Sequence, residues 1–274
     1  MKILFISLGC DKNLADSEEM LGLLTGSGHE IVDSEEDADA IVINTCCFIH
    51  DAKEESVNTI LEMAEYKKTG KCKALIVTGC MAQRYKEEIT QEIPEVDAVL
   101  GTTSYGDIVK ALNEAQAGHV FQEFRDINEL PEDSGRRVLT TGGHFGYLKI
   151  AEGCDKHCTY CIIPSLRGKF RSVPEERLLA QAEYMASQGV KELILVAQET
   201  TVYGTDLYGK KTLHILLKKL CQIKGIRWIR VLYCYPEEIY DELIQVMKEE
   251  KKICNYLDLP IQHASDRILK RMGR

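Results

Sequence analysis

Three cysteines fall within eight residues, in the run Gly153-Cys154-Asp155-Lys156-His157-Cys158-Thr159-Tyr160-Cys161. Thiolates at this spacing can hold three irons of a cubane cluster and leave the fourth iron without a protein ligand. An open iron of that kind can chelate the amino and carboxylate groups of S-adenosylmethionine and pass it an electron. The competing chemistry is structural zinc, which wants four closed ligands. His157 would supply the fourth, but it abuts Cys158, and one tetrahedral ion would strain to take both.

A second set is scattered along the first part of the chain. Cys10, Cys46 and Cys80 each follow an apolar run: Ile6-Ser7-Leu8-Gly9-Cys10, Ile43-Asn44-Thr45-Cys46 and Val77-Thr78-Gly79-Cys80. Taken singly, each reads as a buried thiol. If all three runs are strands of one parallel sheet, their carboxyl ends share the edge where such sheets bind ligands. The three cysteines then converge, and a second three-cysteine cluster with an open iron is the natural reading. Cys47 adjoins Cys46 and could be the ligand in its place, although strand alternation would aim only one of the two at the cluster. Cys72, Cys221, Cys234 and Cys254 share no spacing and read, like Cys47 otherwise, as packing residues or free thiols.

The elements that must position these groups are legible as repeated βα units. Over residues 1–117 the runs Ile3–Leu8, Ala40–Asn44, Ala74–Thr78 and Ala98–Leu100 have the Ile, Val and Leu content of strands buried on both faces. Between and after them, Asn13–Thr25, Asp51–Lys68, Ala82–Glu92 and Ser104–Ala117 place apolar residues at helical spacing. This predicts an α/β fold, an open doubly wound parallel sheet. Residues 118–143 are polar and punctuated by Gly118, Pro131, Gly135, Gly142 and Gly143, which suits a linker. From 144 to 274 a second series follows. Its expected strands are Gly146–Ala151, Glu192–Ala197, Trp228–Tyr233 and Tyr256–Ile261; its expected helices are Pro174–Gln188, Leu213–Ile223, Glu237–Glu250 and Ala264–Met272. Four such units make part of a parallel β/α barrel with an open edge, so the sequence is expected to be a truncated piece of a longer chain.

Composition narrows the class. The 274 residues are 45% hydrophobic and 28% charged, which suits globular domains. No apolar run approaches the ~18 residues of a membrane span, and Ile3–Leu8 is too short for the core of an export signal. The odd count of 11 cysteines argues against a disulfide framework and for reduced thiols in the cytoplasm. Charge is uneven. Residues 1–117 carry a net −12 and residues 118–274 a net +3. The acidic first part is a poor surface for a nucleic-acid backbone.

The pattern Cys154-x₃-Cys158-x₂-Cys161, with an aromatic before the last cysteine, resembles the radical S-adenosylmethionine superfamily. That resemblance implies that Tyr160 lies beside the adenine. Many members hold the methionine amine with a Gly-Gly-Glu motif on the second barrel strand; here the run Leu193-Ile194-Leu195-Val196-Ala197-Gln198-Glu199 lacks the glycines. Gln198, Glu199 and His263, at expected strand ends, are the remaining candidates for the methionine moiety. Two open clusters on an α/β domain plus a radical barrel resemble the methylthiotransferases, along essentially the whole chain. Ser7-Leu8-Gly9-Cys10-Asp11-Lys12-Asn13 with Asp16-Ser17-Glu18, the stretch Val196–Gly204, and Pro260-Ile261-Gln262-His263-Ala264-Ser265-Asp266 resemble the branch acting on ribosomal protein S-twelve of the small subunit. The branch acting on transfer RNA usually has a Tyr-Gly-Cys-Gln-Met-Asn type of segment around the first cysteine.

What the resemblance implies is specific. Cys10, Cys46 and Cys80 would hold an auxiliary [4Fe-4S] cluster, and Cys154, Cys158 and Cys161 the cluster that cleaves S-adenosylmethionine. One S-adenosylmethionine would give its methyl to a sulfur on the auxiliary cluster. A second would yield a 5′-deoxyadenosyl radical that takes hydrogen from the β-carbon of an aspartate, where the methylthio group is then joined. Flavodoxin or ferredoxin is the implied reductant. Transfer RNA is the alternative substrate, and a non-enzymatic iron–sulfur carrier the alternative role. The family continues into the rest of the barrel and a small C-terminal TRAM-type β-barrel, neither of which this sequence contains.

Overall fold

The computed structural model describes residues 1–132 and 135–274. The chain divides into two compact units, Met1–Val138 and Leu139–Arg274.

The first unit is a six-stranded parallel sheet with helices. In chain order its elements are β1 (Lys2–Ser7), α1 (Asp11–Gly26), β2 (Glu30–Val32), β3 (Ala40–Thr45), α2 (His50–Thr69), β4 (Ala74–Gly79), α3 (Cys80–Arg84), α4 (Lys86–Glu92), β5 (Ala98–Leu100), α5 (Ile108–Gln116) and β6 (Phe121–Glu123). The strand order is β2-β1-β3-β4-β5-β6. Every residue of β3 and β4 is buried, and their opening runs Ala-Ile-Val-Ile and Ala-Leu-Ile-Val suit central parallel strands. Ile3, Val42, Ile76 and Leu100 pack with Met20 and Leu24 of α1 and Ile108 and Leu112 of α5. The order reverses at β1, which has β2 on one side and β3 on the other. This is the topological switch point of an open α/β sheet, and Cys10 and Cys46 follow the two strands that flank it on the β1–β3 side.

Two strands escape the sequence pattern. β2 is a three-residue edge strand with little burial, too short to show a period. β6 lies inside the stretch read as a linker, where Phe121–Glu123 pairs in parallel with β5; Asp133 and Ser134 of that stretch lie outside the described residues. The single helix expected over 82–92 is two short ones, α3 and α4, broken at Tyr85.

The second unit contains β7 (Phe145–Lys149), β8 (Ala151–Glu152), α6 (Ile163–Arg167), β9 (Arg171–Ser172), α7 (Glu175–Ser187), β10 (Glu192–Val196), α8 (Thr205–Tyr208), α9 (Leu213–Cys221), β11 (Trp228–Val231), α10 (Asp241–Glu249), β12 (Ile253–Leu257) and α11 (Asp266–Met272). The strands β12-β11-β10-β7 form one parallel sheet in that order, and β8 and β9 form a small antiparallel pair. Leu148, Leu193, Leu195, Ile229 and Val231 of the sheet are buried, as are Leu178, Met185, Leu216, Leu220, Leu243 and Val246 of α7, α9 and α10. The last strand runs over 253–257 instead of the expected 256–261. The chain leaves the sheet at Asp258, whose carboxylate accepts from Tyr233 N at 3.0 Å and whose carbonyl accepts from Cys234 N at 2.9 Å. α10 starts at Asp241, since Pro236–Glu238 forms a separate 3₁₀ turn.

Candidate iron–sulfur sites

The first triad sits at the carboxyl edge of the first sheet. Cys10 caps α1 after β1, Cys46 follows β3, and Cys80 opens α3 after β4. Cys10 is exposed, whereas Cys46 and Cys80 are buried. The turns that carry them demand glycine. Gly9 and Gly79 both sit at φ +92°, in the left-handed region. A side chain on Gly9 would come within 2.7 Å of Cys46 Cβ, and one on Gly79 within 2.6 Å of the Thr45 carbonyl. The Cys10 turn therefore lies directly against Cys46, and the Cys80 turn against the end of β3.

One side chain ties the three segments together. Asn13, fully buried in the first turn of α1, donates from Nδ2 to the Leu8 carbonyl at 3.2 Å and the Thr45 carbonyl at 2.9 Å. Its Oδ1 faces the Cys80 Sγ at 3.8 Å. Its carbonyl accepts from Asn44 Nδ2 at 2.9 Å, and the same Nδ2 reaches Ser17 Oγ, also at 2.9 Å. Ser56 of α2 brackets Cys46, accepting from its N–H at 3.0 Å and donating to its carbonyl at 2.8 Å. Cys47 stays beside the triad: its Sγ donates to the Cys80 carbonyl at 3.3 Å. Burial first, and Cys80 beside it, push the Cys47 thiol up to about 11. Both Cys46 and Cys47 lie past the end of β3, so strand alternation does not separate their roles.

The second triad lies on the loop between β8 and α6. Gly153, at φ +72°, lets that loop pass so close to Gly168 that a side chain would stand 2.5 Å from the Gly168 carbonyl. Cys154 N donates to the same carbonyl at 3.1 Å, Asp155 Oδ1 accepts from Phe170 N at 3.0 Å, and Thr159 N donates to Met272 O at 3.0 Å. Cys154 and Cys158 are buried and Cys161 half-buried. Burial pushes the Cys154 and Cys161 thiols up, and Cys158 adds to the rise at both, so the three sulfurs are electrostatic neighbours. Tyr160 is 51% exposed, and its phenol is pushed up by burial and then by Cys158.

Two acceptors near this loop are unsatisfied. Gln198 Oε1 and Glu199 Oε2, just past β10, are buried with no hydrogen-bond partner among the described residues. Glu199 Oε1 accepts from Thr201 N at 3.0 Å, from the Thr201 hydroxyl and from Tyr235 N at 3.4 Å. Burial pushes the Glu199 carboxyl up, and Cys154 lies within its field. The unsatisfied oxygen of Glu199, whose charge is felt at Cys154, is the complement of an ammonium group. His263 is exposed, and its Nδ1 already accepts from Ser265 N at 2.9 Å. Among the described residues no three His, Cys, Asp or Glu side chains close around a single-ion site. The donor set of three thiols, with unsatisfied acceptors alongside at the second triad, fits a cluster with one open iron.

Comparison with known proteins agrees with this geometry. Residues 2–101 match the family model described as uncharacterized protein family UPF0004, and residues 148–274 match that of the radical SAM superfamily. Across all of its length the chain is 68% identical to a ribosomal protein uS12 methylthiotransferase RimO of Lachnoclostridium phytofermentans, covering 62% of that protein. The chain is similar along its whole length to radical SAM methylthiotransferases. Relatives of the same description in Clostridium botulinum (strain Eklund 17B / Type B) and Clostridioides difficile are 54% and 52% identical over the whole chain, with 61% and 62% of their length covered. The chain thus spans about 62% of the length of such relatives.

Solved structures share the fold at low identity. The radical S-adenosylmethionine methyltransferase TsrM of Kitasatospora setae aligns with a TM-score of 0.64 at 11% identity, over 98% of this chain and 60% of that one. The cobalamin-dependent S-adenosylmethionine radical enzyme OxsB aligns with a TM-score of 0.63 at 15% identity, over 99% and 45%.

Spacing and strand-end position single out the six cysteines as candidate ligands, and Tyr160 follows only from the family resemblance. Asn13, Asn44, Ser17 and Ser56 are missed, and the only available signal was Asn13 standing three residues after Cys10 in a run already singled out.

Proposed function

We propose that the chain is the cluster-bearing part of a methylthiotransferase that places a methylthio group on the β-carbon of an aspartate in ribosomal protein uS12. The observation that carries this reading is the placement of Cys10, Cys46 and Cys80 past the ends of three adjacent parallel strands, with the first two segments tied by one buried asparagine. A radical initiator alone has no need of a second thiol triad. In this reading Cys10, Cys46 and Cys80 hold the auxiliary cluster, and Cys154, Cys158 and Cys161 hold the cluster that binds S-adenosylmethionine. Bound there, the two clusters supply the electron that cleaves S-adenosylmethionine and the sulfur that is transferred.

The chain's own residues do the rest. Gln198 and Glu199 offer their unsatisfied oxygens to the methionine ammonium, and Tyr160 lies against the adenine. Asn13 and Ser56 hold the auxiliary loops in place. The reductant is a flavodoxin or ferredoxin acting in the cytoplasm; no helix of the described residues is long and apolar enough to cross a membrane.

The test uses the full-length enzyme, reconstituted anaerobically, with reductant, S-adenosylmethionine and uS12. A methylthio mass gain on one aspartate is expected. No gain there, with gain on an adenosine of transfer RNA, would move the assignment to the transfer-RNA branch. No gain on either, with both clusters loaded, would favour a carrier role.

A further inference from the structure

One contact at the second triad is not used by the function above. Tyr235, four residues beyond β11, reaches Cys158 Sγ with its hydroxyl at 3.6 Å. Its backbone N–H donates to Glu199, so its position is tied to the end of β10. Two cations lie at its ring: Arg274, with its guanidinium carbon 4.0 Å from the centroid, and Lys156, with its ammonium at 5.0 Å. Both cations are themselves anchored. Arg274 Nη1 donates to the Pro260 carbonyl at 2.9 Å, and Lys156 pairs with Glu238, which also takes Lys211 at 2.9 Å.

A cysteine that ligates iron does so as a thiolate and has no proton to give. In the contact between Tyr235 and Cys158 the phenol must then be the donor and the sulfur the acceptor. Hydrogen bonds to cluster sulfurs and nearby positive charge both favour the reduced cluster, which carries one more negative charge, and so raise its potential. Cations at the phenol ring strengthen its hydroxyl as a donor in the same sense.

We propose that Tyr235 is a positioning residue that raises the reduction potential of the S-adenosylmethionine-binding cluster by donating a hydrogen bond to the Cys158 thiolate. The proposal rests on the reading of Cys154, Cys158 and Cys161 as cluster ligands. It gives the Lys156 and Arg274 pair a role as well, since each holds positive charge over the ring that carries the hydroxyl.

Tyr235→Phe removes only the oxygen and keeps the ring against both cations. The anaerobically reconstituted chain and this variant are compared in a background carrying Cys10→Ala, Cys46→Ala and Cys80→Ala, so that one cluster is observed. Iron content is measured first, then the reduced fraction by electron paramagnetic resonance across a series of fixed potentials. The variant should hold the same iron and show an about tenfold smaller reduced-to-oxidised ratio at a given potential, a shift of about 59 mV for a one-electron couple. An unchanged midpoint at full iron content overturns the proposal. So does loss of the cluster from Tyr235→Phe, because the hydroxyl would then be holding the loop together instead of tuning it. Failure of the unsubstituted triad to take up iron overturns the ligand assignment itself, and is distinguished by appearing in the background without Tyr235→Phe.

Discussion

Asn13 makes more of the first site than any one cysteine does. Its side chain satisfies carbonyls at the ends of two strands and faces the thiol that follows a third. Removing it in Asn13→Ala takes the donor from two carbonyls at a mostly buried site, a cost of about 1–3 kcal/mol for each left unsatisfied. The expected outcome is loss of the auxiliary cluster, read as a fall of iron content by about half, with cleavage of S-adenosylmethionine retained. Asn13→Asp keeps the size but loses the donor and should behave alike. Full iron in both variants would show that the asparagine does not organise the triad. At the other triad, Glu199→Gln keeps hydrogen-bonding atoms and removes the charge. Binding of S-adenosylmethionine, measured by calorimetry, should weaken by an order of magnitude or more at unchanged iron content, because charge-assisted bonds are about twice as strong as neutral ones. The cysteines were legible because spacing and strand-end position are properties of sequence. Asn13 and Asn44 were not, because their bonds join residues 31 and 32 positions apart.

The elements show a similar division. β3 and β4 announce themselves because each opens on four apolar residues in a row and is buried throughout. β2 and β6 do not, since three-residue edge strands carry too few side chains to show a pattern. α1 was recognisable from Met20, Leu21 and Leu24, yet its other faces are buried too, with Asn13, Asp16, Ser17 and Glu18 all shielded from solvent. Glu18 is matched by Arg137, whose Nη2 lies 2.7 Å and whose Nε lies 2.9 Å from the same Oε2. No reading of local sequence finds this pair, since its members are 119 positions apart. Breaking it leaves a buried charge uncompensated. Arg137→Ala should therefore destabilise the first unit by about 3–5 kcal/mol, seen as a lower melting temperature in scanning calorimetry. Replacing both partners by apolar residues of similar volume should cost much less. A melting temperature unmoved by Arg137→Ala would mean that the pair adds nothing to the packing of α1.

At the scale of the whole molecule, each unit has its own parallel sheet and its own cysteine triad past the strand ends. The fold class, the two-part plan and both triads follow from hydrophobic runs and cysteine positions. What did not follow was the way each triad is held, because that depends on glycine turns and buried amides at the strand ends. Substrate choice is likewise carried by relatives' sequences and not by this geometry. Iron with acid-labile sulfide counts the two separate cluster sites directly. The anaerobically reconstituted chain should hold about eight irons and about eight sulfides. The Cys10→Ala/Cys46→Ala/Cys80→Ala variant and the Cys154→Ala/Cys158→Ala/Cys161→Ala variant should each hold about four. A chain that saturates at about four irons, with only one of the two triple variants losing them, would contradict two sites.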